Sequence, residues 1–149
     1  MKFSEIESSA WPGLKPYLDT ALLPVTGLDG SENPVEAAEA LEDLRDVLDL
    51  IEIPFKGRTV TYPAMHYIGD GDAGAASRLV IEHACERMKR AGFRYVILVT
   101  AAKREIMELG PEFPGADLIV RVTAEELGAQ YEEARRAVAD KLTELWLAR

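Results

Sequence analysis

The stretch Tyr95-Val96-Ile97-Leu98-Val99 decides the fold class of this chain. A run of apolar side chains without polar alternation is typical of a strand that is buried on both faces of a sheet. A second run of this kind, Thr20–Val25, lies nearer the N-terminus. Because such strands occur mostly in parallel sheets that helices cover on both sides, the two runs predict an α/β protein.

Strand-like and helix-like segments alternate along the rest of the chain. We expect residues 1–19 to be irregular, since Trp11-Pro12-Gly13 is a turn signal. The segments that follow are strand 20–25, helix 34–53, strand 58–62, helix 73–91, strand 95–99, short helix 101–109, strand 117–122 and one long helix after Thr123. This order predicts a single three-layer α/β domain over residues 1–149. Its mostly parallel four-stranded sheet would carry helices on both faces, in a Rossmann-like or flavodoxin-like arrangement.

The net charge of −9 is confined to the first third of the sequence. Residues 1–54 contain 12 acidic and 3 basic side chains, whereas residues 55–149 contain 14 of each. A nucleic-acid binder needs Lys and Arg to displace counterions from phosphate, so we expect no nucleic-acid partner. The same charge argues against an anionic membrane surface as a partner.

Most of this negative charge lies on the predicted helix 34–53, where Arg45 is the only basic residue. One face of that helix carries acidic side chains at three- and four-residue spacing, namely Glu36, Glu39, Asp43 and Asp46. Such a face is most often simply solvated. The alternative interpretation is an interaction surface for a basic protein partner or for a second subunit in a homodimer.

The sequence offers no sign of export. The N-terminus lacks the basic start and apolar run of a signal peptide, and no apolar stretch approaches the roughly 20 residues of a membrane span. The single Cys85 cannot form a disulfide within the chain and lies in a helical pattern. We therefore expect a cytoplasmic protein in which Cys85 is a small buried apolar side chain.

In a parallel sheet, ligands bind beyond the carboxyl ends of the strands, here the loops 25–33, 63–72, 100–104 and 122–125. The second of these loops contains His66, Tyr67, Asp70 and Asp72. His66 could act as a catalytic acid or base with help from Tyr67 and Asp72. The alternative is structural: Asp72 would cap a helix and His66 would bond to the backbone. One His and two turn aspartates match no metal-ligand spacing, so we expect no metal.

The loop after the third strand offers a second candidate site. Thr100, Lys103 and Arg104 at a helix start could bind a small anionic ligand, or they could form a capped surface helix in solvent. An anionic substrate held there would require this loop and the His66 loop to be neighbours. No glycine-rich phosphate loop is present, neither GxGxxG nor GxxxxGK[ST], and we therefore expect no cofactor.

Two stretches carry a resemblance to a known family. These are Tyr17–Val25, which contains Asp19-Thr20, and Phe55–Pro63, which contains Lys56-Gly57-Arg58. In their order and in total length they resemble the YpiF-like family of small bacterial proteins of uncharacterised function. From position alone, Asp19 would bond to the N-terminal backbone and Arg58 would be solvated in a turn. The resemblance implies that Asp19 and Arg58 are more important than their positions alone suggest.

A weaker resemblance, at the level of the fold, is to creatininase-like amidohydrolases. Leu23-Pro24-Val25 and Gly92–Val99 are similar to strands of those enzymes. Their metal-binding loops carry histidines, whereas the loops at positions 26–30 and 100–103 of this chain contain none. The resemblance therefore implies a related fold without the metal site, and a shared fold does not imply a shared function.

The sequence favours a non-catalytic binding or protein-interaction module, because the crevice loops are poor in catalytic residue types. The alternative is an enzyme that acts on a small anionic metabolite through His66. The two hypotheses differ in where the functional residues lie. The first places them on the acidic helix, and the second places them at the carboxyl ends of the strands.

Overall fold

A computed structural model of the protein describes residues 1–68, 71–103 and 113–148. At its centre is a four-stranded sheet in the order β2-β1-β3-β4. The strands are β1 (Thr20–Val25), β2 (Thr59–Thr61), β3 (Tyr95–Thr100) and β4 (Leu118–Arg121). All three strand pairs are parallel, which confirms the predicted α/β class. The order is that of the first four strands of a flavodoxin-like sheet, whose switch point lies between β1 and β3.

The described residues form five α-helices and a short 3₁₀ turn at Phe3–Glu5. The helices are α1 (Trp11–Leu14), α2 (Pro34–Glu52), α3 (Gly71–Arg90), α4 (Ala124–Ala129) and α5 (Tyr131–Leu147). The start of α2 is as predicted. The Asn33 side chain accepts a hydrogen bond from the Glu36 amide, and the Glu36 carboxylate accepts one from the Asn33 amide. This reciprocal pair satisfies two of the amides that a helix start leaves without partners.

Both faces of the sheet are buried, as the apolar runs predict. On one face, α2 and α5 pack against Leu22, Ile97 and Val99. On the other face, α3 and the N-terminal segment pack against Leu23 and Val96. Successive residues of one strand thus enter opposite cores, because side chains alternate across a sheet.

The prediction of one long helix after Thr123 is wrong. The Thr123 hydroxyl caps α4 as expected by accepting a bond from the Glu126 amide, but that helix ends at Ala129. Gln130 adopts φ −140° and ψ 54°, outside the helical region, and α5 starts anew at Tyr131. Gly128, a poor helix former, lies just before this break and favours an interruption of the helix there.

Three smaller expectations also change. Residues 1–19 are not wholly irregular, since α1 forms one turn that ends before Pro16. Asp72 lies within the first turn of α3 and does not cap it. Residues 101–103 are not helical, and the remainder of the predicted helix 101–109 lies outside the described residues.

The amino ends of β1 and β2 are joined by an ion pair that position alone did not predict. Arg58 donates to both carboxylate oxygens of Asp19, and Asp19 also accepts a bond from the Thr20 hydroxyl. The expectation of a solvated Arg58 is therefore wrong. Asp19 binds side chains of the sheet, and neither residue lies near the carboxyl ends of the strands.

Candidate functional site

The first candidate region is the carboxyl edge of the sheet, where the loop after β2 is fastened to β1. Thr26 follows β1 directly, and its hydroxyl lies 2.9 Å from Nδ1 of His66 and 3.2 Å from the carbonyl oxygen of Met65. The Thr26 amide donates to the same carbonyl at 3.1 Å. Because Thr26 is buried and His66 is exposed, this contact presents the imidazole at the surface above β1.

The three residues predicted for acid–base chemistry are only partly brought together. The Tyr67 ring lies 6.2 Å from the His66 ring, with an exposed side chain and φ of 60°. That left-handed backbone is uncommon for a tyrosine. No hydrogen bond or ion pair joins His66 to the exposed Asp72. Asp70 lies outside the described residues. The hydrogen-bonding contact that the structure describes for His66 is with Thr26.

The predicted anion site is likewise not assembled from the residues that the structure describes. Lys103 directs its ammonium to Glu125, 3.2 Å away on the exposed surface of α4. The buried Thr100 hydroxyl accepts a hydrogen bond from the Ala102 amide. Arg104, the third predicted residue, lies outside the described residues. Thr100 and Lys103 are thus occupied by contacts within the protein.

Arg121 is a residue of this edge that sequence reasoning missed. Its Nε donates to the carbonyl oxygen of Ala102 at 3.1 Å, and its Nη2 donates to that of Lys103 at 2.8 Å. The side chain therefore fixes the chain after β3 against the end of β4. An arginine at the end of an apolar strand is a weak sequence signal. Because its partners are backbone carbonyls, no pattern of residue types could indicate the contact.

The second candidate region is a cleft of about 390 Å³ between α2 and the junction of α4 with α5. We call it the acidic cleft. Its lining residues are Asp43, Asp46, Asp49, Ile53, Ala124, Leu127, Gly128 and Tyr131. Two of the four residues predicted for the interaction surface, Asp43 and Asp46, lie in it. Glu36 and Glu39 lie elsewhere on the helix.

The side of the cleft opposite α2 was not predicted. Leu127 and Tyr131 fit the apolar stripe of one continuous helix, which would bury both. The break at Gln130 instead leaves Tyr131 50% exposed, and Ile53 at the end of α2 is 74% exposed. Apolar side chains thus line a cleft that also carries carboxylates. The sequence contains one signal of the break, Gly128, which weakens a helix. The regular spacing of apolar residues outweighed that signal in the prediction of one continuous helix.

Basic side chains offset little of the negative charge of the carboxylates in the acidic cleft. Among the residues that the structure describes, no Lys or Arg lines it. Asp46 lies 3.6 Å from its neighbour Arg45, and neither Asp43 nor Asp49 forms an ion pair with a described residue. A concave surface lined by one sign of charge concentrates its field and attracts ligands of the opposite sign.

Two further structural findings bear on function. Within residues 1–68, 71–103 and 113–148, no group of three or more His, Cys, Asp or Glu side chains is arranged to hold a metal ion. Over the same ranges, no helix has both the length and the apolar composition needed to cross a membrane.

Comparison with known proteins gives one match. The family described as "Protein of unknown function (DUF2487)" matches residues 10–145. No curated protein and no solved structure matches the chain significantly. The match includes every strand of the sheet and both walls of the acidic cleft. The chain therefore belongs to the DUF2487 family.

Proposed function

We propose that this protein is a non-catalytic interaction module that binds a basic segment of another protein in the acidic cleft. The observation that carries the proposal is the composition of that cleft. Three carboxylates of α2 share one concave surface with the exposed apolar side chains of Ile53 and Tyr131, and within residues 1–68, 71–103 and 113–148 no Lys or Arg lines it.

A basic, amphipathic segment fits this composition for a physical reason. Lys and Arg have long aliphatic stems that pack on apolar surface while their charged ends reach the carboxylates. The Tyr131 ring adds a face on which a cation is attracted electrostatically. Exposed ion pairs contribute only about 0–1 kcal/mol each, so the three carboxylates chiefly select the partner. Burial of Ile53 and Tyr131 would supply most of the affinity.

The test is the binding of a synthetic amphipathic peptide of Leu and Lys, measured by fluorescence anisotropy. The variant carries Asp43→Lys and Asp49→Lys, which reverse the two cleft carboxylates that form no ion pair with a described residue. The control carries Glu39→Lys and Glu42→Lys, which change the charge of the same helix equally at exposed positions outside the cleft.

We expect the cleft variant to bind at least about tenfold more weakly than the wild type, since reversal turns two attractions into repulsions. The control should lose much less, and a peptide with Glu in place of Lys should not bind to the wild type. Equal losses in both variants would mean that only the total charge matters, and the proposal would then be wrong.

The alternative function, an enzyme acting on a small anionic metabolite, has the Thr26–His66 contact and the left-handed Tyr67 in its favour. Against it, no hydrogen bond or ion pair joins His66 to Asp72 or to a described cation, and Lys103 forms an ion pair with Glu125. We therefore prefer the interaction module. The YpiF-like and creatininase-like resemblances, the cytoplasmic location, the homodimer and the absence of a nucleic-acid partner stay predictions.

A further inference from the structure

The outer side of α3 carries apolar and basic side chains together at the surface. Leu79 is 66% exposed and Val80 is 55% exposed, and the exposed His83 lies one turn further along the helix. Arg87 and Arg90 follow at helical spacing, and both are exposed. Residues at these intervals share one side of a helix. We call this side, formed by Leu79, Val80, His83, Arg87 and Arg90, the α3 face.

The two arginines of the α3 face are not used by ion pairs within the described structure. Neither Arg87 nor Arg90 forms an ion pair with a residue that the structure describes. Lys89, which lies between them in sequence, is instead paired with Asp117 at 2.9 Å. Even with the acidic Glu86 at its margin, the α3 face therefore has a net positive charge. Its composition is complementary to that of the acidic cleft.

The spacing of the charges on the α3 face also matches the spacing in the acidic cleft. Arg87 and Arg90 lie 7 and 10 residues after Val80. Two aspartates of the cleft lie 7 and 10 residues before Ile53, which directly follows α2. These intervals correspond to about 10 and 15 Å of helix. An antiparallel pairing of the two helices therefore places three pairs of residues opposite each other. The pairs are Val80 with Ile53, Arg87 with Asp46, and Arg90 with Asp43.

In this pairing the apolar and the charged parts of both surfaces find partners. Leu79 and Val80 would cover Ile53 and Tyr131, which are 74% and 50% exposed, and the burial of apolar surface favours association. The planar guanidinium groups match the geometry of the carboxylates of the cleft. Because exposed ion pairs are weak and are screened by salt, we expect a weak association that low salt strengthens.

The two surfaces lie on opposite sides of the molecule. The α2 helix packs on one face of the sheet, and α3 packs on the other face. Two copies therefore cannot exchange both contacts around one two-fold axis, since this would require the two surfaces to face the same way. A contact between two different surfaces repeats from head to tail and produces rings or open chains.

We propose that the acidic cleft of one copy binds the α3 face of a second copy of this chain, so that the molecules associate from head to tail. This inference rests on the proposed function, because it uses the same cleft. It goes further by naming the partner, the segment of that partner and the register of the contact.

The experiment measures the mass of the protein in solution by sedimentation equilibrium. At about 0.02 M salt the wild type should exceed the mass of a single chain and grow with concentration, whereas about 0.5 M salt should return it to one chain. The face variant carries Arg87→Gln and Arg90→Gln. The cleft variant carries Asp43→Lys and Asp49→Lys, as above. Each variant alone should keep the mass of a single chain at low salt.

The decisive sample is an equimolar mixture of the two variants. The cleft variant keeps an intact α3 face and the face variant keeps an intact cleft, so one native contact can form between them. We expect a species of two chains and none larger. The matched control carries Arg136→Gln and Lys141→Gln, which remove the same charge at exposed positions of α5. It should associate as the wild type does.

A wild type that keeps the mass of a single chain at low salt would overturn the inference. If the Leu and Lys peptide nevertheless binds to the cleft, the proposed function stands without it, and if the peptide also fails to bind, both are wrong. A mixture of the variants that gives only single chains, or species larger than two chains, would overturn the head-to-tail contact. An excess of the peptide should dissociate the wild-type assemblies, and assemblies that persist would exclude the cleft as their contact.

Discussion

Arg58 forms a bidentate ion pair with Asp19, with Nε 3.0 Å from Oδ1 and Nη2 3.2 Å from Oδ2. The guanidinium also lies over the Trp146 ring, 4.3 Å from its centre. Trp146 in turn donates from its indole nitrogen to the Thr20 hydroxyl at 2.9 Å. One arginine thus joins the starts of β1 and β2 to the end of α5.

Replacing Arg58 tests how much this junction stabilises the fold. We expect Arg58→Lys to lower the free energy of unfolding by about 1–2 kcal/mol, because lysine keeps the charge but loses the planar fork and the ring contact. Urea unfolding followed by circular dichroism measures the change. Lys56→Ala, two residues earlier and exposed, should change stability by less than about 0.5 kcal/mol. Equal effects of the two substitutions would contradict a structural role for the pair.

The same pair illustrates what the sequence could and could not predict. The strands of the sheet follow from local runs of apolar residues, and the start of α2 follows from Asn33-Pro34. The Arg58–Asp19 pair joins positions 39 residues apart, which no local pattern encodes. The family resemblance singled out both stretches, although it offered no physical reason for their importance.

The acidic cleft was half predictable for a similar reason. Its α2 wall follows from charge counting along a helix. Its other wall depends on the break at Gln130. Apolar residues recur every three to four positions on both sides of that break, so the sequence pattern does not reveal it. The Thr26–His66 contact needed the strand order, which places β1 next to β2 and which the sequence does not give.

Two glycines should respond in opposite ways to the same substitution. Among the described residues, a Cβ added at Gly128 in α4 would meet no atom outside its own turn of helix within 4 Å, so we expect Gly128→Ala to stabilise the protein by about 0.5–1 kcal/mol. At Gly115, φ is +90° and the added Cβ would lie 3.1 Å from the Cβ of Cys85. Gly115→Ala should therefore destabilise by more than about 1 kcal/mol. Urea unfolding of both variants checks the signs, and a stabilising Gly115→Ala would contradict the described backbone.

The buried Cys85 predicts a specific dependence of stability on pH. Burial raises the pKa of the Cys85 thiol from 9.0 to about 11. Its folded pKa lies above its unfolded one, so its contribution is full below about pH 9 and is lost as the pH rises toward 11. The loss amounts to about 2–3 kcal/mol.

The measurement is the unfolding free energy of the wild type and of Cys85→Ala between pH 8 and pH 11, since other groups titrate equally in both proteins. The wild type should lose more stability over this range. At pH 8 the folded thiol should also react with a disulfide reagent far more slowly than the unfolded chain, because the thiolate is the nucleophile. Parallel pH curves would show that Cys85 is not buried in the way described.

The central claim, that the acidic cleft receives a basic segment, predicts direct contact between the bound peptide and Tyr131. The most direct measurement is the intermolecular nuclear Overhauser effect between Tyr131 ring protons and the side chains of the Leu and Lys peptide. The account predicts cross-peaks from the Tyr131 ring and the Ile53 methyl groups, with amide shifts confined to residues 43–53 and 124–131. A bound peptide whose cross-peaks and shifts lie elsewhere on the surface would contradict it.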